Sequence, residues 1–408
     1  MNDWPDGYGH GGRGAEPEGP RVMPHVRRRP IPQQPQGYDD RHNAPYDSGY
    51  NTGQVYGSPS GGGHGGQGGH DGYGEPPAYG RPAPDWRRRL KVGSITVLVL
   101  ALGVSIGTYF WADSKMRREV DLAKVIERPE EGDCTTYLIV GSDSREGLTS
   151  EDKKRLHTGS ADGKRTDSMM ILAACGSGNT MISLPRDSDV EIPSFVGSES
   201  GKTFPGEGRR VKLNAAYAED GPELLVRTVE HNTGLRIDHY AEIGFAGFAN
   251  IVDSLGGVEM DIPKAFKDEK SGADFQAGKQ SLNGEQALAF VRTRYAFAGS
   301  DLDRTKNQQK FLAALANQAA TPGTILNPFK LYPTLGSGLD TLIVDKDMSL
   351  LDLGEMFFAM KGISGGDGTS MNIPISGSRG GNLVWDKEKV RQLVNQIKND
   401  EKVTVTAD

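Results

Sequence analysis

Asp301, Arg304 and Gln308 are spaced i, i+3 and i+7, and Phe311, Leu312 and Leu315 continue the same stripe when the segment is read as a helix. The predicted core-facing stripe is therefore polar in its first half. Burying a neutral polar group without a partner costs roughly 2 to 7 kcal/mol, so an arginine and a carboxamide there require a partner, and an anionic ligand supplies one. Upstream, Arg292 and Arg294 are separated by one residue, which in extended backbone turns both guanidinium groups to one face. The planar guanidinium fork matches phosphate oxygens in bidentate fashion, so three arginines and a glutamine around one carboxylate suit a phosphate or pyrophosphate. The same residues also read as a solvated helix start with ordinary surface charges, and the pattern by itself leaves both readings open.

A second cluster lies earlier. The segments GSDSRE and KRTDSM give Asp143 with Arg145 and Asp167 with Arg165, and LPRDS adds Arg186 and Asp187. Two carboxylates side by side repel unless a cation lies between them, and hard oxygen ligands in small number favour magnesium completed by water and phosphate oxygens. The alternative is a pair of structural Arg/Asp salt bridges. What positions these groups is a set of buried strands: TTYLIV at Thr135–Val140, SMMILAA at Ser168–Ala174 and TMISL at Thr180–Leu184. Cys134 and Asp143 bracket the first strand and Asp167 and Cys175 the second at nearly equal spacings. An antiparallel pair in that register brings the cysteines together at one end and the aspartates at the other, whereas a parallel pair does neither.

The remaining elements follow from composition. Of 55 glycines and 23 prolines, 20 and 13 precede Lys91, so residues 1–90 read as a disordered tail too poor in aliphatic side chains to fold. Residues 92–112 carry no charge and reach about 31 Å as a helix, the thickness of a bilayer core. With Arg87, Arg88, Arg89 and Lys91 before this span and Tyr109, Phe110 and Trp111 at its far end, the N-terminus is expected in the cytoplasm. Residues 113–132 read as a stalk, helical over Ser114–Ile126, and residues 133–408 as one exported domain. In that domain, helices at 212–219, 222–232, 245–255, 283–291, 350–360 and 386–398 alternate with strands at 240–243, 258–262 and 372–375, the fourth helix opening on an Asn283/Gln286 capping box. The fold class is α/β, a central mixed sheet flanked by helices. Two cysteines in an exported domain suggest a disulfide rather than a redox or metal site.

These residues resemble a family. VGSDSR, RTDSMMI, SLPRD, KLNAAY, SLGGVEMDIP, LNGEQALAFVRTR and the spaced Asp, Arg and Gln of 301–308 are similar to the LytR-CpsA-Psr proteins of Gram-positive and actinobacterial cell envelopes, over Thr136 to about Leu315. The resemblance implies a phosphotransferase dependent on magnesium, or manganese, that moves a glycan such as teichoic acid from a polyprenyl-pyrophosphate carrier in the membrane to peptidoglycan through a phosphodiester. It implies Asp143 and Asp167 as metal ligands, and Arg145, Arg165, Arg186, Arg292, Arg294, Arg304 and Gln308 around the pyrophosphate. Arg292 and Arg294 are taken, with Asp301, as the groups closest to the chemistry. Asp301 either orients the acceptor hydroxyl or holds Arg304. The prenyl tail needs an apolar groove, for which Phe245, Phe248, Ile251, Phe311, Leu315 and Leu335 are candidates.

A formal net charge of −7 argues against nucleic acid as a partner. Serine or cysteine nucleophile chemistry fits poorly, because His157, His231 and His239 alone lie in the exported part and none neighbours a nucleophile elbow. A membrane-tethered binding or regulatory protein without transfer activity is the alternative, and it has no need of paired aspartates at the strand ends.

Overall fold

In the computed structural model, residues 85–407 are described apart from 146–147, 159–165, 294–300 and 367; the side chains of 301–306 and 364 are also left out. Residues 1–84 of the expected tail, Arg165 and Arg294 thus lie outside the described residues, as do the side chains of Asp301 and Arg304; residues 86–90, expected in the tail, are instead the first turn of a helix that runs on into the uncharged span. The buried apolar runs form one seven-stranded mixed sheet. Its strands are β1 (Arg117–Val120), β2 (Thr135–Ser142), β3 (Thr166–Ala174), β4 (Asn179–Leu184), β5 (His239–Ile243), β6 (Leu342–Asp345) and β7 (Gly368–Asn372), in the order β1-β6-β5-β2-β3-β4-β7. At the centre β2 runs antiparallel to β3 and parallel to β5. The strands read as continuous apolar runs because both faces of the sheet are covered.

Among the described residues eight helices of two turns or more accompany the sheet: α1 (Trp86–Lys115), α2 (Leu213–Thr233), α3 (Phe245–Ser254), α4 (Gly284–Arg292), α5 (Asp301–Ala319), α6 (Pro328–Leu339), α7 (Leu350–Gly365) and α8 (Lys387–Lys398). On one face Leu138, Val140, Met169 and Ile171 pack with Leu225 and Val229 of α2 and Leu393 and Ile397 of α8. On the other, Tyr137, Met170, Leu172 and Met181 meet Ala316 of α5 and Leu353, Met356 and Met360 of α7. A third core joins α3, α4 and α5 to the antiparallel hairpin Val258–Ile262/Gly278–Leu282, which lies outside the central sheet. The two helices expected at 212–219 and 222–232 join as α2 across a break at Asp220 and Gly221, where Gly221 takes φ +79° and Pro222 opens the second segment. The Asn283/Gln286 capping box forms and starts α4.

The region expected as a helical stalk differs. From Arg117 to Val120 the chain is a strand, paired in parallel with β6 at the sheet edge, and Val120, Leu122 and Val125 enter the core. Burial of these three branched side chains overrides the helical tendency of the charged residues between them. Arg118 donates to Asp113 Oδ1 at 2.6 Å and to the Met348 carbonyl at 3.1 Å. Arg128 bonds the fully buried Glu230 at 2.8 Å. The segment is fastened to the domain along its length.

Candidate active site

Strands β2 and β3 pair in the antiparallel register expected from their ends, Thr135 opposite Ala174 and Val140 opposite Met169. At one end Cys134 and Cys175 form a disulfide. They also make, with Asp400, the one group of acidic, thiol or imidazole side chains among the described residues whose ligand atoms cluster as for an ion; the bonded sulfurs leave no thiolate to bind one. At the other end the register passes from Gly141 opposite Ser168 to Ser142 opposite Thr166. Asp167 is therefore the extra residue of a β-bulge, a device that re-aims a side chain at a strand end.

Around that end the arginines and aspartates interlock. Asp167 Oδ1 accepts from Arg186 Nη1 at 2.8 Å, and Arg186 Nε lies 3.5 Å from Asp187 Oδ2. Asp187 Oδ1 in turn accepts from Lys212 Nζ at 2.5 Å. Asp143, directly after β2, lies 3.7 Å from Arg145 Nη1, and Arg145 donates from Nε and Nη2 to the Thr158 carbonyl at 3.0 and 2.8 Å. Arg292, the last residue of α4, donates to the carbonyls of Leu156 and His157 at 3.2 Å. Its guanidinium carbon sits 4.9 Å over the Phe245 ring, a cation–π placement that holds the fork at a fixed height.

These groups border a cavity of about 270 Å³ between the sheet and helices α3, α4 and α5. Its lining divides by chemistry. Ile139, Met170, Ile243, Phe248, Leu288 and Leu312 are apolar; Ser142, Asp167, Asp268, Lys270, Arg292 and Gln308 are polar. The N-terminus of α3 borders it: Gly244, which caps that helix, and Phe245 line the cavity, and Gly244 has no side chain to cap the first-turn amides. Ser142 is 1% exposed, and its hydroxyl finds no hydrogen-bond partner among the described residues.

The structure thus brings Asp143, Arg145, Asp167, Arg186, Arg292 and Gln308 to one end of the β2/β3 pair. Gln308 is buried, donates to the Val291 carbonyl at 3.0 Å and lines the cavity, as the polar stripe on α5 predicts. Of the groove candidates, Phe245 and Phe248 line the cavity. Phe311 is fully buried and Leu315 nearly so, both in the α3/α4/α5 core, against which Ile251 also packs, while Leu335 packs on the core between the sheet and α7. Helical periodicity finds the inward face of α5 but does not separate a side chain that lines a hole from one that fills it.

Two residues carry no sequence signal. Lys270 and Asp268 reach the cavity from a loop between two three-residue strands, Phe266–Asp268 and Ala273–Phe275; in the sequence they are two charges in a charged loop. Gln309, next to Gln308, is equally buried but structural, donating to Ser183 Oγ at 3.0 Å and the Met371 carbonyl at 3.1 Å.

Comparison with known proteins agrees with this architecture. Residues 108–399 match the model of the LytR_cpsA_psr family. The chain is 39% identical over 315 residues to the probable cell wall biosynthesis protein LcpB of Corynebacterium glutamicum, covering 76% of this chain and 69% of that protein. It is 28% identical over 268 residues to TagU of Enterococcus faecalis, a polyisoprenyl-teichoic acid–peptidoglycan teichoic acid transferase, covering 64% and 80%. Among solved structures, the LytR-Csp2A-Psr enzyme from Actinomyces oris superposes with a TM-score of 0.50 at 23% identity, over 70% of this chain and 96% of that one. With the family model spanning the end of α1, the whole sheet and both strand ends of the site, this chain belongs to the LytR-cpsA-psr family.

Proposed function

We propose that this protein is a glycopolymer phosphotransferase, taking a glycan from a polyprenyl-pyrophosphate carrier and joining it to peptidoglycan through a phosphodiester. One observation carries this reading: a single cavity is apolar over one part of its lining and bears Asp167, Lys270, Arg292 and Gln308 over the other. A prenyl chain fits the first and a pyrophosphate the second, a combination that a soluble phosphoryl donor does not need. The relatives named as wall-polymer transferases support the substrate class, and the uncharged span in α1 supports a membrane location. The disulfide favours the outer side of the membrane, where thiols oxidise, with the N-terminus inside.

The chemistry asked of the side chains is positioning and charge stabilisation. Arg292 and Arg186, with Arg165, Arg294 and Arg304 as further partners, hold the pyrophosphate oxygens. The acceptor hydroxyl attacks the glycan-side phosphorus in line, the bond from that phosphorus to the bridging oxygen breaks, and polyprenyl phosphate departs with the electron pair as the hydroxyl proton is lost. Asp301, at the first turn of α5, is the carboxylate proposed to orient that hydroxyl. The donor set at the strand ends, two carboxylates and the hydroxyl of Ser142, which has no partner among the described residues, consists of hard oxygens suited to magnesium or manganese. Asp143 and Asp167 would hold the ion, which supplies positive charge against the pyrophosphate.

The test is reconstitution of the full chain in liposomes with a radiolabelled polyprenyl-pyrophosphate glycan and purified peptidoglycan. The expected result is label in peptidoglycan in step with polyprenyl phosphate released. Tight binding without turnover would mean a tethered binding protein, and release of free glycan phosphate with no acceptor labelled would mean a hydrolase.

A further inference from the structure

Leu326 and Phe329 are 80% and 89% exposed, more than any large apolar side chain of α1, and Ile325 beside them is 43% exposed. They form the turn into α6, fixed by Asn327, which caps the helix by accepting from Phe329 N at 3.0 Å. Single exposed apolar residues are ordinary; a contiguous group at a rigid turn is not.

The position of this turn relative to α1 is fixed by side-chain contacts. Thr108 Oγ1 and Tyr332 Oη lie 2.6 Å apart, a separation of 224 residues, and Lys115 pairs with Asp340, a separation of 225. Between them Trp111 meets Tyr332 edge to face, with ring centroids 5.3 Å apart, and lies against Gly336. A constant offset means that α1 and α6 run parallel and in step. Extended by one turn, it places Phe329, in the first turn of α6, level with Ser105; Leu326 lies in the turn just before the helix. Ser105 is seven residues inside the end of the uncharged span at Ala112, about 10 Å along a helix.

We infer that the turn carrying Leu326 and Phe329 is a second membrane-contacting element, seated in the hydrocarbon edge of the outer leaflet beside α1. The inference rests on the reading of α1 as a membrane span and goes beyond it: the domain is not merely tethered but docked at a set height and rotation. The polar groups agree with that depth. Lys115 and Asp340 form the level at which the pair leaves the lipid, and Lys330, next to Phe329, has a stem long enough to carry its ammonium back toward the headgroups. The other side of α6 packs on α3, where a methyl on Gly338 would lie 3.5 Å from Ile251; just past the end of α6, Thr341 approaches Gly247 so closely that a methyl there would lie 2.5 Å from its hydroxyl. Helix α3 supplies Phe245 and Phe248 to the cavity wall. The element in the lipid is thus one helix removed from the cavity.

Spin labelling of the full chain in phospholipid nanodiscs tests this. Nitroxides are attached at Phe329→Cys, at Leu326→Cys, at Val97→Cys in the middle of α1 and at Phe204→Cys, which is exposed on a hairpin of the domain, and relaxation by oxygen is compared with that by a water-soluble nickel chelate. The expected result is oxygen-dominated relaxation at 329, 326 and 97, with nickel-dominated relaxation at 204. Nickel access at 329 and 326 with lipid immersion at 97 overturns the docking and leaves the span intact. Nickel access at 97 removes the span and the inference with it. Protection from both reagents at 329 and 326 also overturns it, because a second protein copy, not lipid, then covers the turn.

Discussion

The two ends of the β2/β3 pair are built from the same strands and do opposite things. At the Cys134/Cys175 end the ladder is regular, closed by a disulfide and tied down by Asp400, which accepts from the amides of Gly176 and Ser177. At the Asp143/Asp167 end the ladder bulges, charge is concentrated, a buried hydroxyl has no partner among the described residues and a cavity opens. The closed end holds the register, and the open end carries two carboxylates, each paired with an arginine. Stability is therefore expected to reside at one end and function at the other, and variants should separate along that line.

The largest effect is expected at the open end. Asp143→Asn should lower transfer on the order of 100- to 1,000-fold, about 3 to 4 kcal/mol of transition-state stabilisation, while the melting temperature in metal-free buffer changes little, because the ion pair it loses, to Arg145 at 3.7 Å, is a long one. Steady-state kinetics and a thermal melt on one preparation check both halves. At the closed end, Cys134→Ser with Cys175→Ser removes a cross-link over a separation of 41 residues, worth about 4 kcal/mol on loop entropy, and denaturant unfolding should show that loss with the rate per folded molecule unchanged.

A smaller effect sharpens the contrast between adjacent residues. Gln309→Ala should cost about 1 to 3 kcal/mol of stability, because Ser183 and the Met371 carbonyl lose a buried donor, and should leave the KM for the lipid substrate in place. A change in KM without loss of stability would move Gln309 into the site.

The smallest effect is a pH dependence away from both ends. Burial by itself lowers the pKa of His239, but its hydrogen bond to Asp345 at 3.2 Å and the charges of Asp345, Asp352 and Asp238 outweigh this, so the net value is raised above 6.5. A raised folded value makes the contribution to stability full below about pH 6.5 and lost as pH rises through the folded pKa. His239→Asn should flatten that decline in urea unfolding measured from pH 6 to 9; an unaltered slope would assign it to other groups.

Much of this contrast was legible in the sequence. The β2/β3 pairing could be read because cysteines and aspartates bracket two strands of matched length, and α4 because Asn283 and Gln286 make a capping box. Strand β1 could not, since three of its four residues are charged and it becomes a strand through burial of Val120 against the sheet edge, a tertiary effect. The bulge at Asp167 depends on one residue of slippage that no pattern marks. Lys270 and Asp268 reach the cavity through chain topology, and the division of Phe248 to the cavity from Phe311 to the core is a matter of where space is left between helices.

The most direct test of the account is the initial rate of glycan transfer by Asp167→Asn set against that of the disulfide-free Cys134→Ser/Cys175→Ser protein, in the same liposomes and at a temperature where both are folded. The account predicts that the disulfide-free protein retains the wild-type rate and that Asp167→Asn falls below it by about two orders of magnitude or more. Equal rates for the two would contradict the assignment of chemistry to the open end of the strand pair.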